Sequence, residues 1–175
     1  MKDNDLIKIN LGCGNKYLQG YINCDFIKTV RAEKHFDLNK FPYPFKDNYA
    51  DEIVMDNVLE HLDNLILVME ELYRILKNKG KLIIIVPYGK SDGAIQDPTH
   101  VHFFTEKTFD YFTVGSLYEF YSTARFKKNV LKLQNDDISI LNKLRNLVPF
   151  RSKLKYLLLN MYESIYVELE AVKKI

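Results

Sequence analysis

Apolar side chains along this chain fall into short unbroken runs separated by polar turns, with one longer stripe at helical spacing. Leu6, Ile7, Ile9 and Leu11 of LIKINLG run into two glycines and predict a buried strand over residues 6–12. GYINCDF at 20–26 predicts a second strand that stops at an acid, and HFDL at 35–38 a short third one. FPYPFKDNYA at 41–50 reads as loop, because Pro42 and Pro44 lack the amide hydrogen that a ladder or a helix interior needs. DEIVMDN at 51–57 is the fourth strand. Leu62, Leu65, Met69, Leu72 and Leu76 recur at steps of three and four, which predicts a helix over 62–76 with Lys77 and Lys79 near its end and Gly80 as its stop. KLIIIVP at 81–87 follows as strand five, and its continuous apolar run suits a central parallel strand covered on both faces.

The second half is patterned less regularly. A long loop, YGKSDGAIQDPTHVHFFT, leads into a short helix around residues 106–112, and residues 118–134 carry a sixth strand. Helical spacing returns at Ile140, Leu141, Leu144, Leu147 and Val148, then at Leu154, Leu157, Leu158 and Met161, before SIYVELEAV at 164–172 alternates like a final strand. Strands interleaved with helical segments predict an α/β sheet with its ligand chemistry at the carboxyl ends of the strands.

Composition narrows the class. At 175 residues and 47% hydrophobic content the chain suits one domain, residues 1–175, and a disordered chain is excluded. Cys13 and Cys24 have neither CxxC spacing nor a second pair, so neither a disulfide framework nor a zinc site is expected. The start lacks a long apolar stretch and no run approaches a spanning helix, so a cytoplasmic location is the expectation. Net charge is only +2, yet residues 121–160 hold nine Lys or Arg against Asp136 and Asp137, so one end of the molecule is basic.

The chemistry lies in the order of the turns. Gly12-Cys13-Gly14-Asn15 follows strand one, Asp25 and Phe26 close strand two, HFDL holds Asp37 and Leu38, and DNVLEHL follows strand four. A dinucleotide fingerprint would need a small residue where Tyr17 stands and an acid further on than Asp25. LGCGN, NCDF, DNVLEHL and GKLIIIVP, at these intervals, resemble a class I S-adenosylmethionine-dependent methyltransferase of the small type 11-like kind. The specific motifs cover residues 6–115, and 116–175 follow by topology as C-terminal strands with a basic helical insert.

That resemblance implies a Rossmann-like, mostly parallel seven-stranded sheet flanked by helices with an antiparallel last strand, S-adenosyl-L-methionine as cofactor, and methyl transfer as the activity. It implies that Gly12, Cys13, Gly14 and Asn15 bend around the methionine part, that Asp25 with Phe26 binds the ribose side, that Asp37 and Leu38 meet the adenine, and that Asn57, Val58 and Leu59 wrap the cofactor. Asn10 replaces the family's acid before the first glycine, and Lys16 its common third glycine. The stretch DPTHVHFFTEKTFDYF also looks like members encoded with cell-surface glycan biosynthesis.

A hydroxyl acceptor must lose its proton, which calls for a base within hydrogen-bond reach. Of four histidines, His100 and His102 follow the strand-five loop beside Asp97, and His61 ends DNVLEH at the mouth of strand four; His35 stands apart. His100 paired with Asp97 is the candidate base, with His61 at the same rim; the alternative is that these rings hydrogen-bond loop backbone or close the cofactor pocket. A metal site on His61, Asp97, His100 and His102 is the second possibility, but none is assigned, since magnesium prefers oxygens and Asp97 has no carboxylate partner nearby in sequence. The expected acceptor is a small molecule or glycan at a hydroxyl. Nucleic acid is disfavoured as partner, because the fourth-strand position reads DNVL rather than Asn or Asp before Pro-Pro-Tyr. A non-catalytic cofactor-binding protein is the remaining alternative. The basic stretch 142–159 either packs an apolar helix face on the core, the preferred reading, or associates weakly with an anionic membrane surface. The sequence leaves the oligomeric state open.

Overall fold

A computed structural model describes residues 6–135 and 140–173; Asp136 and Asp137 lie outside them. Seven strands form one sheet: β1 (Lys8–Leu11), β2 (Ile22–Asp25), β3 (Lys34–His35), β4 (Ala50–Asp56), β5 (Leu76–Pro87), β6 (Phe126–Gln134) and β7 (Ser164–Ala171). Their order is β3-β2-β1-β4-β5-β7-β6. Strands β1 to β5 pair in parallel, and β7 runs antiparallel to both of its neighbours. This is the Rossmann-like arrangement expected of the class.

The strand order follows from burial. Ile9 and Leu11 of β1 sit opposite Ile53 and Met55 of β4, and all four are fully buried. Such a doubly flanked pair belongs at the centre, so β1 and β4 diverge there to β2 and β5, and a crevice opens where the order reverses. β7 alternates as its sequence requires, with Ile165, Val167, Leu169 and Ala171 buried.

Several boundaries differ from expectation. The helix α1 is Leu65–Ile75, not 62–76: Asn64 caps its start by accepting from Leu67 N, and Leu76 is already extended and pairs with Ala50. The carbonyls of Arg74 and Ile75 accept from Asn48 and Tyr49 amides, so the loop before β4 ends the helix instead of Gly80. On β5, Leu82, Ile84 and Val86 are buried but Ile83 and Ile85 only half so, which corrects the double coverage read from its apolar run. HFDL shrinks to the edge pair Lys34–His35, and the helix near 106–112 is a 3-10 turn over Thr108–Phe112.

The basic insert is short helices: α2 (Asp92–Ile95) precedes it, and α3 (Ile140–Asn146) and α4 (Arg151–Leu154) form it. Core packing does not hold there. Leu144, Leu147, Phe150 and Leu157 are exposed, with Leu147 and Leu157 among the most open large apolar residues described. Among the described residues no helix is long and apolar enough to cross a membrane.

Candidate functional site

The turn after β1 is built by backbone geometry. Gly12 and Gly14 adopt φ of +67° and +46°, a region that side chains with a Cβ rarely enter. A Cβ on Gly12 would stand 2.5 and 2.9 Å from the two γ carbons of Val58, so the turn is pressed against the segment after β4. A Cβ on Gly14 would meet no protein atom within 4 Å. Open space therefore lies on the crevice side of Gly14.

Asn10 holds this turn in place. Its Nδ2 donates to the Lys16 carbonyl and to Asn23 Oδ1, both at 2.9 Å, and Asn23 Oδ1 also accepts from Leu18 N. A carboxylate in its place would face two acceptors, which explains why this chain carries an amide where the resembled family has an acid.

Asp25, nearly buried at the end of β2, accepts from Gly14 N at 2.7 Å through Oδ2 and from Ile27 N at 2.8 Å through Oδ1. Each oxygen keeps a further lone pair for a hydroxyl. Beside it Phe26 and Ile27 are 68% and 53% exposed, an apolar ledge at the crevice. Asp37 accepts from Asn39 N, while Leu38 and Leu59 are buried in the core, so their side chains are committed to packing and only their backbone can face a ligand. Cys13 is buried too, its thiol pushed up by burial and by the Asp25 charge. Asn15 is exposed at the tip of the turn.

A polar cavity of about 940 Å³ adjoins the turn at the carboxyl ends of β4 and β5. Lys16 and Asp56, paired at 2.7 Å, line it, and Glu60, His61, Asp97 and His100 line it as well. Asn57, at φ +55°, connects the two and donates to Asp56. The rings of His61 and His100 meet edge to face at 4.7 Å between centroids.

The proton positions of both rings follow from their partners. His100 Nδ1 lies 2.9 Å from the Ala94 carbonyl, which can only accept, so Nδ1 carries the hydrogen and Nε2 the lone pair. His61 Nδ1 lies 2.9 Å from Thr99 Oγ1, whose own hydrogen goes to Asp97 Oδ1 at 2.6 Å. His61 Nδ1 therefore donates as well, again leaving Nε2 free.

This corrects the pairing read from the sequence. Asp97 Oδ2 is 3.7 Å from His100 Nε2, too far for a hydrogen bond, and Asp97 orients His61 through Thr99 instead. The Thr99 hydrogen bonds hold the Asp97 carboxyl below the usual carboxylate range. His102 does not line the cavity and packs beside Phe104, and His35 sits on the edge strand β3.

Glu60, the acid beside His61 in DNVLEHL, was not among the expected site residues. It is 1% exposed, neither carboxylate oxygen has a hydrogen-bond partner, and burial pushes its carboxyl up to about 7. Its backbone carbonyl accepts from Val101 and His102 amides, which ties the 99–102 loop to the turn after β4. The signal was present in LEH, but only the loop's return across the sheet closes this carboxyl off from water.

The mixed sheet, with its glycine turn after β1 and an acid ending β2, has the Rossmann-like strand order, and residues 9–84 match the family model described as a methyltransferase domain. The chain is similar to an uncharacterised protein of Methanocaldococcus jannaschii, 48% identical over 95 residues that span 47% of this chain and 41% of that protein. The chain thus covers less than half of that relative's length. The fold matches a SAM dependent methyltransferase from Archaeoglobus fulgidus with a TM-score of 0.66 at 15% identity, over 94% of this chain and 86% of that one. A second match is an S-adenosylmethionine dependent methyltransferase from Mesorhizobium loti, with a TM-score of 0.61 at 11% identity, over 94% and 90% of the two chains.

Proposed function

We propose that this chain transfers a methyl group from S-adenosylmethionine to a small-molecule or glycan-type acceptor, at a hydroxyl. When bound, the cofactor supplies a methyl activated on a sulfonium sulfur. The open space beside Gly14 fits such a group, because it borders a bent backbone, a carboxylate with spare lone pairs and an apolar ledge. Gly12, Cys13, Gly14 and Asn15 form the turn around the methionine part, with Asn10 supporting it from beneath. Asp25 holds the ribose hydroxyls and Phe26 lies beside it; Asp37 and Leu38 border the adenine; Asn57, Val58 and Leu59 close the opposite wall.

The observation that carries the acceptor half is the polar cavity next to this turn, lined by two histidines whose Nδ1 hydrogens are used on Thr99 and the Ala94 carbonyl. His100 takes the acceptor proton at Nε2, and its Nδ1–H stays on the Ala94 carbonyl. Asp97 acts one step removed, fixing His61 through Thr99. Positioning of acceptor oxygen and methyl about 3 to 3.5 Å apart supplies much of the acceleration, and the base about 10² to 10⁴ more.

Calorimetry with S-adenosylmethionine, followed by transfer of labelled methyl to a panel of hydroxyl-bearing glycans and small molecules, tests the reading. Binding together with transfer supports it, and absence of either overturns it. His100→Ala that binds cofactor normally but turns over as fast as the parent on its acceptor would remove His100 as base.

We propose in addition a weak association of the 142–159 segment with anionic membrane surfaces. Leu147 and Leu157 are 79% and 83% exposed there, and Lys143 and Lys153 of the same segment are exposed too.

A further inference from the structure

We propose that Glu60, His61 and His100 form a binding site for a divalent transition-metal cation. One ligand-type atom from each of the three lies within 4.8 Å of those of the other two. Ligands on a single ion at about 2.1 Å stand roughly 3 to 3.5 Å apart, so small torsional shifts close the set.

The electron bookkeeping of the cluster points to a cation. Both imidazoles use their Nδ1 hydrogen elsewhere, on the Ala94 carbonyl and on Thr99, so each keeps its lone pair at Nε2. Glu60 adds two buried carboxylate oxygens without a donor among the described residues. Three groups with electron pairs to give thus cluster within 4.8 Å around a buried carboxylate that has no hydrogen-bond partner among the described residues, an arrangement that a cation would stabilise. The outer contacts are those a metal centre needs. The Ala94 carbonyl fixes the ring of His100, and Asp97 through Thr99 fixes that of His61.

Two nitrogens and one carboxylate select zinc, manganese, cobalt, nickel or iron(II) over magnesium and calcium, which favour all-oxygen shells. Three protein ligands leave positions open toward the cavity. The consequence for the reaction rests on the acceptor reading above: an acceptor hydroxyl on the ion releases its proton to solvent at lower pH, and its oxygen keeps the electron pair for the methyl. In the loaded site His100 is a ligand; it serves as base only in the cation-free site.

Chelator-treated protein, without cofactor or acceptor, titrated calorimetrically with zinc, manganese and magnesium chlorides tests the site. One zinc or manganese ion per chain is expected, with magnesium at least 100-fold weaker. Glu60→Gln and His61→Gln should each weaken zinc by at least 10-fold, while His35→Ala, outside the cluster, should not change it. Should Glu60→Gln fail to fold, the visible absorption of cobalt-loaded parent and His61→Gln gives the same readout. No stoichiometric binding, equal binding by Glu60→Gln, or a preference for magnesium overturns the proposal. Methyl transfer without metal binding would remove the cation and leave the function standing; metal binding without methyl transfer would do the reverse.

Discussion

Gly12 and Gly14 differ by two positions and share a left-handed backbone, but their substitutions by alanine should fail in different ways. At Gly12 the new methyl would meet Val58 Cγ2 at 2.5 Å, Cγ1 at 2.9 Å and Cβ at 3.3 Å. Because both branches and their root are close, no rotation of Val58 relieves the clash, and the buried segment after β4 must move. The left-handed conformation costs about 1 to 2 kcal/mol and overpacking about 1 to 3, roughly 2 to 5 kcal/mol together. For a chain of this size that lowers Tm by roughly 5 to 15 °C. At Gly14 the methyl meets no protein atom within 4 Å, so only the backbone cost of about 1 to 2 kcal/mol applies. It does enter the space assigned to the cofactor. Thermal denaturation and calorimetric titration with S-adenosylmethionine separate the two effects. Gly12→Ala should lose stability chiefly, whereas Gly14→Ala should stay within a few degrees of the parent and lose at least 10-fold in affinity. Undiminished binding by Gly14→Ala, or an unchanged Tm for Gly12→Ala, would refute this account of the turn.

Restoring the acid common in the resembled family, Asn10→Asp, should destabilise the chain by about 2 to 4 kcal/mol in urea denaturation, because a buried carboxylate would face the Lys16 carbonyl and Asn23 Oδ1. Glu71 receives two hydrogen bonds from Arg74 and one from Tyr43 N; burial raises its carboxyl, but these bonds outweigh it and the net direction is below the ordinary 4.5. Its stabilisation is therefore present above pH 4.5 and lost as pH falls through the lower folded value, so Glu71→Gln should cost about 2 to 4 kcal/mol at pH 7 and progressively less below pH 4.5. Flotation with anionic vesicles at low salt should carry part of the protein upward, and Leu147→Asp with Leu157→Asp should abolish it; no flotation of the parent would dismiss membrane association.

How much of this was legible in the chain depends on the range of the interaction. Periodicity two and runs of apolar residues located the five buried strands β1, β2, β4, β5 and β7, since a strand's burial alternates with its own sequence, whereas the exposed edge pair β3 shares only His35 with HFDL and β6 starts at Phe126, after a 3-10 turn over Glu119–Tyr121. The glycine turn and Asp25 were legible for a related reason. Backbone freedom and the end of a strand are local properties, and the sheet order then brings those two local features together at 2.7 Å. Helix ends were read less well, because α1 stops where Asn48 and Tyr49, distant in sequence, take its last carbonyls.

The acceptor side was decided in three dimensions. His61 lies far along the chain from Thr99 and His100, and only the crossing of the 99–102 loop over the turn after β4 sets the rings of His61 and His100 4.7 Å apart. The same crossing shields Glu60 and transfers Asp97 from the ring beside it in sequence to the one beyond Thr99. Hydrogen bonds act over about 3 Å, so which donor meets which acceptor is set by where loops return, a quantity that no pattern along the chain encodes. The chain by itself determined the strands and the glycine turn; tertiary structure alone decided which imidazole and carboxyl groups meet at the cavity.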